Sequence, residues 1–214
     1  MRFLISAGPT REYLDPVRFL SNPSSGKMGI ELARAASKLG HAVILVHGPC
    51  SVKIPSSPRI RCLPVTTALQ MRRAVLKNYA RCDCVVMAAA VTDFRPRRQL
   101  SQKIKKDAAG SSVMKLIQNP DILLELGKKR KHPILVGFSA ETHRLTQHAL
   151  VKLRRKNLDC IVANRVGGRQ SAFGASANKV SVLHRKGNQI VFGRMSKASL
   201  ARRLIRLILQ LTKR

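Results

Sequence analysis

Apolar residues in this chain follow two alternating rhythms. Short unbroken apolar runs occupy 2–7 (RFLISA), 41–47 (HAVILVH), 60–65, 84–91 (CVVMAAAV), 133–140 (PILVGFSA) and 158–163. Runs of that length and density suit parallel strands covered on both faces. Between them, apolar residues recur three and four apart, the spacing of one helix face. Lys27–Leu39 places Met28, Leu32, Ala35, Ala36 and Leu39 together, and Gly40 stops it. Thr66 or Thr67 can cap a helix running to about Ala80. Asn119-Pro120-Asp121 opens a third helix, with Asn119 as its cap and Pro120 at its first position. A fourth spans 142–157. Lys179–His184 and Gln189–Phe192 flank Lys186-Gly187-Asn188 and predict a hairpin. Ser196 caps a final helix with Leu200, Leu204, Leu207, Ile208 and Leu211 on one face. This order predicts one α/β domain over 1–214. Its core is a mainly parallel, doubly wound (Rossmann-like) sheet with helices on both faces, followed by a C-terminal hairpin and helix.

Ligands of such sheets bind beyond the carboxyl ends of the strands. Three loops fall there: Gly8–Asn22, Thr92–Lys106 and Asn164–Asn178. The stretch SNPSSGKMG, residues 21–29, has the small residues and Gly-Lys pair of a phosphate loop. It fails the Walker A spacing, because Ser21 stands five before Gly26 and Met28 follows Lys27. What remains is a helix start whose backbone N–H groups favour an anion.

Composition narrows the setting. No run of eighteen apolar residues occurs, so no transmembrane helix and no membrane partner are expected. The N-terminus reads as a first strand and not as a signal peptide. Five cysteines without a C-x-x-C pair predict free thiols in a reducing, cytoplasmic compartment. Forty-one Lys and Arg against ten Asp and Glu give a formal net charge of +31, which draws in anions. Six Phe, two Tyr and no Trp do not interleave with the basic residues. With no helix-turn-helix or aromatic RNP pattern either, nucleic acid is not the expected partner.

Six motifs then combine in order: SAGPTREYLDPVRFLSNPSSGKMG, MAAAVTDFRP, KIKK, NPDIL, VGFSAET and KLRRKNLDCIVAN. Together, from Arg2 to about Leu211, they resemble the bacterial phosphopantothenate–cysteine ligase (phosphopantothenoylcysteine synthetase). That enzyme often forms the C-terminal half of a bifunctional flavoprotein of coenzyme A synthesis. The motifs cover the ligase half alone, and the expectation drawn from the resemblance is a stand-alone form with a separate decarboxylase protein acting next. The implied reaction joins 4′-phosphopantothenate to L-cysteine. CTP is the co-substrate, with Mg²⁺ or Mn²⁺ carried on its phosphates. The acid first forms an acyl-cytidylate and releases pyrophosphate; the amine of cysteine then displaces CMP.

The resemblance also implies roles. Asn22 and Lys103 would be catalytic: Asn22 as an uncharged donor and acceptor at the acyl group, Lys103 as the cation at the α-phosphate, with Lys105 and Lys106 as neighbouring alternatives. Arg18, Asn22, Ser24, Ser25, Gly26 and Lys27 would bind phosphopantothenate. Asp93, Lys103, Pro120, Asp121, Ile122, Leu123, Phe138, Lys152 and Lys156 would bind CTP. A homodimer is implied, with the hairpin as a candidate contact. Two places depart from the family. Its usual A-N-D-V reads Ala163-Asn164-Arg165-Val166, and the following loop reads Phe173-Gly174-Ala175-Ser176-Ala177-Asn178, poor in the expected acidic and amide groups.

Overall fold

The computed structural model describes residues 1–105, 113–167 and 177–211. The chain begins with β1 (Arg2–Ala7), β2 (Arg11–Tyr13), β3 (Phe19–Ser21), α1 (Lys27–Lys38), β4 (Ala42–His47), β5 (Ile60–Pro64) and α2 (Ala68–Asn78). It continues with β6 (Cys84–Met87), β7 (Phe94–Pro96), β8 (Leu116–Gln118), α3 (Ile122–Gly127), β9 (Ile134–Glu141), α4 (Leu145–Arg155) and β10 (Cys160–Arg165). A hairpin of β11 (Ala177–His184) and β12 (Gln189–Ser196) leads into α5 (Lys197–Leu211).

Eight strands form one sheet in the order β12-β11-β10-β9-β6-β1-β4-β5. The six strands from β10 to β5 are parallel. The hairpin adds β11 and β12 antiparallel at one edge. Taken in chain order, the six parallel strands stand 3-2-1-4-5-6, the Rossmann arrangement, whose order reverses between β1 and β6. Alternate residues of the strands feed two cores. Phe3, Ile5 and Ala7 pack with α1 and α5, while Leu4, Ile44 and Val85 pack with α2, α3 and α4. Burying one such aliphatic side chain stabilises by about 1.5–3 kcal/mol. The α/β, doubly wound expectation therefore holds.

Several boundaries differ for physical reasons. The run 84–91 stops being a strand at Met87, because β1 ends beside it; beyond, Ala89 N–H donates to Ser6 Oγ at 3.0 Å. Asn119 does not cap α3. Its side-chain amide donates to Thr92 O at 2.9 Å, and Asp121 caps instead, accepting from Leu124 N–H at 3.1 Å. Pro120 therefore precedes the helix. Thr67 and Ser196 cap as expected, Thr67 in a reciprocal box with Gln70. Leu39 is exposed and falls outside the buried face of α1, which Ile30, Leu32, Ala33, Ala35 and Ala36 form. The β-hairpin is longer than expected. Two short antiparallel ribbons, β2–β3 and β7–β8, were not foreseen; each strand has three residues, too few to show a period.

Candidate active site

The reversal point of the sheet is where α1 begins. Gly26 is its N-cap, in the left-handed region at φ 79°. A Cβ there would run into Cys50 Sγ and crowd Gly8 Cα, so only glycine fits. Gly29, one turn on, has Ala7 and the Ser6 carbonyl where a side chain would stand. The helix start is thus pressed onto the end of β1. Among the described residues no side chain caps it by accepting from its second or third N–H; Ser24 Oγ and Ser25 Oγ take the Gly26 and Lys27 N–H groups at 3.3 and 3.4 Å.

Ser24–Gly29 form one wall of a cleft. Ala88–Ala90 after β6, Phe138 on β9, Asn164 on β10 and Asn178 on β11 line the rest, together with Lys197 at the first turn of α5. Lys197 is buried; burial first, and Lys27 second, push its ammonium below the usual lysine value. Among the described residues, Asn178 Oδ1 is buried with no hydrogen-bond partner. An orphaned acceptor of this kind costs about 1–3 kcal/mol until a donor arrives. The cleft therefore offers two cations and a helix N-terminus to an anion, an apolar ring as a wall, and one acceptor awaiting a donor.

Asn164, Asn178 and Lys197 were missed in the sequence. Lys197 had a signal: it stands three before Leu200 and seven before Leu204, on the apolar face. Asn178 alternates with Val180 and Val182, which point inward.

Asn22 lies on the other side of the Ser24–Ser25 wall. It lines a second cleft with Arg11, Phe19 and Cys50. Its side-chain amide donates to Ala90 O at 3.3 Å and Val91 O at 3.2 Å. The main chain after β6 thus holds the amide nitrogen of Asn22, the residue expected as an uncharged donor and acceptor at the acyl group. Burial pushes the Cys50 thiol up to about 11, so it is protonated at neutral pH and is no nucleophile.

The expected nucleotide residues of α3 and α4 gather on the opposite face of the sheet. Asp121 accepts from Lys156 at 2.9 Å. Glu141 accepts from Lys152 at 2.6 Å, and His148 stands 3.3 Å from its other oxygen. Burial opposes ionisation of Glu141, but hydrogen bonds from Lys152 and Ser139 outweigh it and hold the carboxyl below its usual range. Lys152 also reaches Ser139 Oγ at 3.3 Å, and Ser139 lines the first cleft. Ile122 and Leu123 are core side chains, so only their backbone could touch a ligand. Pro120 is half-buried beside them.

Arg18 and Lys103 do not join either cleft. Arg18 stands just before β3 and Asn22 just after it, at opposite ends of that three-residue strand. Arg18 is exposed at the tip of the β2–β3 ribbon, and its guanidinium donates to Ile104 O at 3.0 Å. Lys103 and Lys105 flank that residue and are exposed. Asp93 is exposed at the start of β7, its carbonyl accepting from Asn119 N–H at 2.8 Å. Arg165 is exposed at the end of β10, in register with Glu141. Lys106 and 173–176 lie outside the described residues.

The family model for the C-terminal domain of the DNA/pantothenate metabolism flavoprotein matches residues 1–211. The chain belongs to that family. The coenzyme A biosynthesis bifunctional protein CoaBC of Bacillus subtilis (strain 168) is 44% identical over 98% of this chain and 51% of its own length. The chain thus spans about half of this relative. The crystal structure of the C-terminal domain of a CoaBC protein superposes with a TM-score of 0.82 at 35% identity, covering 99% of this chain and 95% of that one. A Cab2 variant in complex with phosphopantothenate-cysteine shares the fold, with a TM-score of 0.74 at 20% identity over 98% and 85% of the two chains.

Proposed function

We propose that this chain is a phosphopantothenate–cysteine ligase of coenzyme A biosynthesis, acting in the cytoplasm with CTP as co-substrate. The observation that carries this reading is the first cleft. A helix start without a side-chain cap, Lys27 and buried Lys197 converge there for an anion, beside the ring of Phe138. A triphosphate and a phosphorylated acid are the anions that such a reaction brings together. Catalysis of phosphoryl-type activation rests on positioning and charge stabilisation, and both are present without any nucleophilic side chain.

In this reading the phosphates of CTP lie at Gly26 and Lys27, with the nucleoside toward Phe138. That shares the Ser24–Lys27 wall between the two substrates. Phosphopantothenate enters from the Asn22 side. Its carboxylate meets the α-phosphate across the Ser24–Ser25 wall, pyrophosphate leaves, and Asn22 Oδ1 accepts from the ammonium of incoming cysteine. Of the other residues expected at the nucleotide, Lys152 reaches the edge of this cleft through Ser139, while Asp93, Asp121 and Lys156 stand outside its lining and would meet only the far end of the nucleotide. Among the described residues no three His, Cys, Asp or Glu side chains converge to cage a metal. Mg²⁺ or Mn²⁺ would therefore arrive on the triphosphate, and no residue here is assigned to hold it.

Arg18 and Lys103 need a second copy in this reading. The ribbons carrying them expose Val17, Phe94, Leu100 and Leu116, an apolar surface suited to a homodimer. It is a broader candidate than the hairpin, whose outer strand exposes Ile190 and Val191. The decisive experiment measures pyrophosphate release from CTP, ATP, GTP and UTP with phosphopantothenate, with and without cysteine. CTP-selective release that needs phosphopantothenate, and CMP release that needs cysteine, are expected. No release from any nucleotide overturns the reading.

A further inference from the structure

Asp15 is the most enclosed carboxylate among the described residues, and nothing in the proposed reaction uses it. Its residue is fully buried, at 0% exposure, in a ribbon whose neighbours Pro16, Val17 and Arg18 are all exposed. A buried carboxylate persists only when its lone pairs are filled. One oxygen, Oδ1, accepts from the Val17 and Arg18 N–H groups, both at 2.7 Å, and so shapes the turn that carries Arg18. The other, Oδ2, accepts from Ile104 N–H at 3.1 Å, eighty-nine residues away, and faces the Arg18 guanidinium at 3.6 Å. Arg18 closes the ring by donating to Ile104 O at 3.0 Å. Leu100 N–H adds a strut to Leu14 O at 2.9 Å. Burial works against the ionised form, yet the hydrogen bonds from Arg18, Ile104 and Val17 and the Arg18 charge prevail and hold the carboxyl below its usual range.

The residue held at both its N–H and its carbonyl is Ile104, the one between Lys103 and Lys105. We infer that Asp15 is a positioning residue: its carboxylate clamps the Lys103 loop to the Arg18 turn, so that the two cations are presented to one bound anion as a fixed pair. This rests on the ligase reading for the identity of that anion, but the clamp itself can be tested without it. Two cations on separate loops would reach an anion independently, each at the full cost of ordering its own backbone. Held through Ile104, they are preorganised. Misplacing a charge by about 1 Å can cost on the order of 10²-fold in rate.

Asp15→Asn separates the two halves of the clamp. The amide oxygen can still accept from Val17 and Arg18, keeping the turn. Its NH2 then faces the Ile104 N–H and the guanidinium, donor against donors. The test measures amide hydrogen exchange and CTP-dependent pyrophosphate release in the full chain. The expected result is faster exchange at Ile104 with Val17 and Arg18 still protected, and a fall of about 10- to 100-fold in kcat, as when groups supporting a reacting site are removed. Asp15→Glu should not rescue it, because the longer arm cannot reach the same three N–H groups. Should Asp15→Asn fail to fold, Ile104→Pro deletes the N–H from the loop side and leaves the Asp15 turn intact; the same loss of rate is expected. Unchanged exchange at Ile104 overturns the clamp. Faster exchange with kcat within twofold of the parent overturns the positioning role. If the parent protein releases no pyrophosphate, the ligase reading has failed, and the exchange at Ile104 still decides the clamp.

Discussion

The cleft at Gly26 and the ribbon tip at Arg18 both present positive charge, but they hold it by different means. At the cleft two lysines, Lys27 and Lys197, stand beside the backbone N–H groups of a helix start. The N–H groups of α1 are fixed by the sheet beneath them, and Gly26 and Gly29 exist to bring them close to β1. Lys197 is anchored on the buried face of α5. At the tip the charge sits on exposed side chains, and one carboxylate and a few main-chain hydrogen bonds fix the loops that bear them. A site built into a core resists change at many positions. A site built on ribbons depends on very few.

The sharpest way to break this contrast is Lys103→Gln. If the tip cation stabilises charge on the triphosphate, pyrophosphate release should fall by about 10²–10³, or about 2.7–4 kcal/mol, even without cysteine. Lys105→Gln should lose much less. Equal, mild losses in both, recovering at low salt, would mean that the tip is a diffuse electrostatic patch.

Asn22→Asp probes the seam between the two regions. The new carboxylate loses two donors and faces the Ala90 and Val91 carbonyls at close to 3 Å. Pyrophosphate release should survive better than CMP release, the latter falling by about 10²-fold, on the order of one lost transition-state contact. Quench-flow trapping of the activated acid measures the ratio. Equal loss in both halves would remove Asn22 from the cysteine step.

Gly26→Ala tests the core-built side by stability. The left-handed backbone costs about 1–2 kcal/mol for a residue with a Cβ. Crowding against Cys50 adds about 1–3 kcal/mol. Pairing it with Cys50→Ala should return most of the second share, since Cys50 Cβ and Gly8 Cα stay 3.1 and 3.2 Å from the new methyl, and none of the first. Thermal unfolding resolves this, since each kcal/mol moves Tm by about 2–4 °C in a chain of this size. Full recovery in the double variant would mean that the backbone conformation carries no strain.

How far each region could be read in the sequence follows the same divide. Strands β1, β4 and β6 announce themselves as apolar runs, because a central parallel strand is covered on both faces. The caps at Thr67 and Ser196 are local chemistry, legible from a few residues. The ribbons were hidden: three-residue strands such as REY and FLS carry no period, and their partners lie about eight residues or twenty apart along the chain. Asn119 misled because Asn before Pro is a good cap in isolation; its buried bonds to Thr92 are long-range and invisible locally.

The mildest prediction supplies the control for Asp15. Arg72 and Glu125 join α2 to α3 with two hydrogen bonds, Nε to Oε2 at 2.7 Å and Nη2 to Oε1 at 2.9 Å. In geometry this arginine–carboxylate pair is better than Arg18 with Asp15, but its residues line neither of the two clefts described above. The hydrogen bond from Arg72 holds the Glu125 carboxyl below its usual 4.5. Because the folded value is the lower one, the pair's contribution is fully present above about pH 4.5 and disappears as pH falls through the folded value. Both side chains remain about one-third exposed, so solvent screens the pair. Glu125→Gln should therefore cost only about 0.2–1 kcal/mol near neutral pH, less in high salt, with the difference from the parent vanishing in acid. Pyrophosphate release should be unchanged. A rate loss in Glu125→Gln as large as that of Asp15→Asn would show that any broken ion pair slows this protein, and the special standing of the ribbon tip would fall with it.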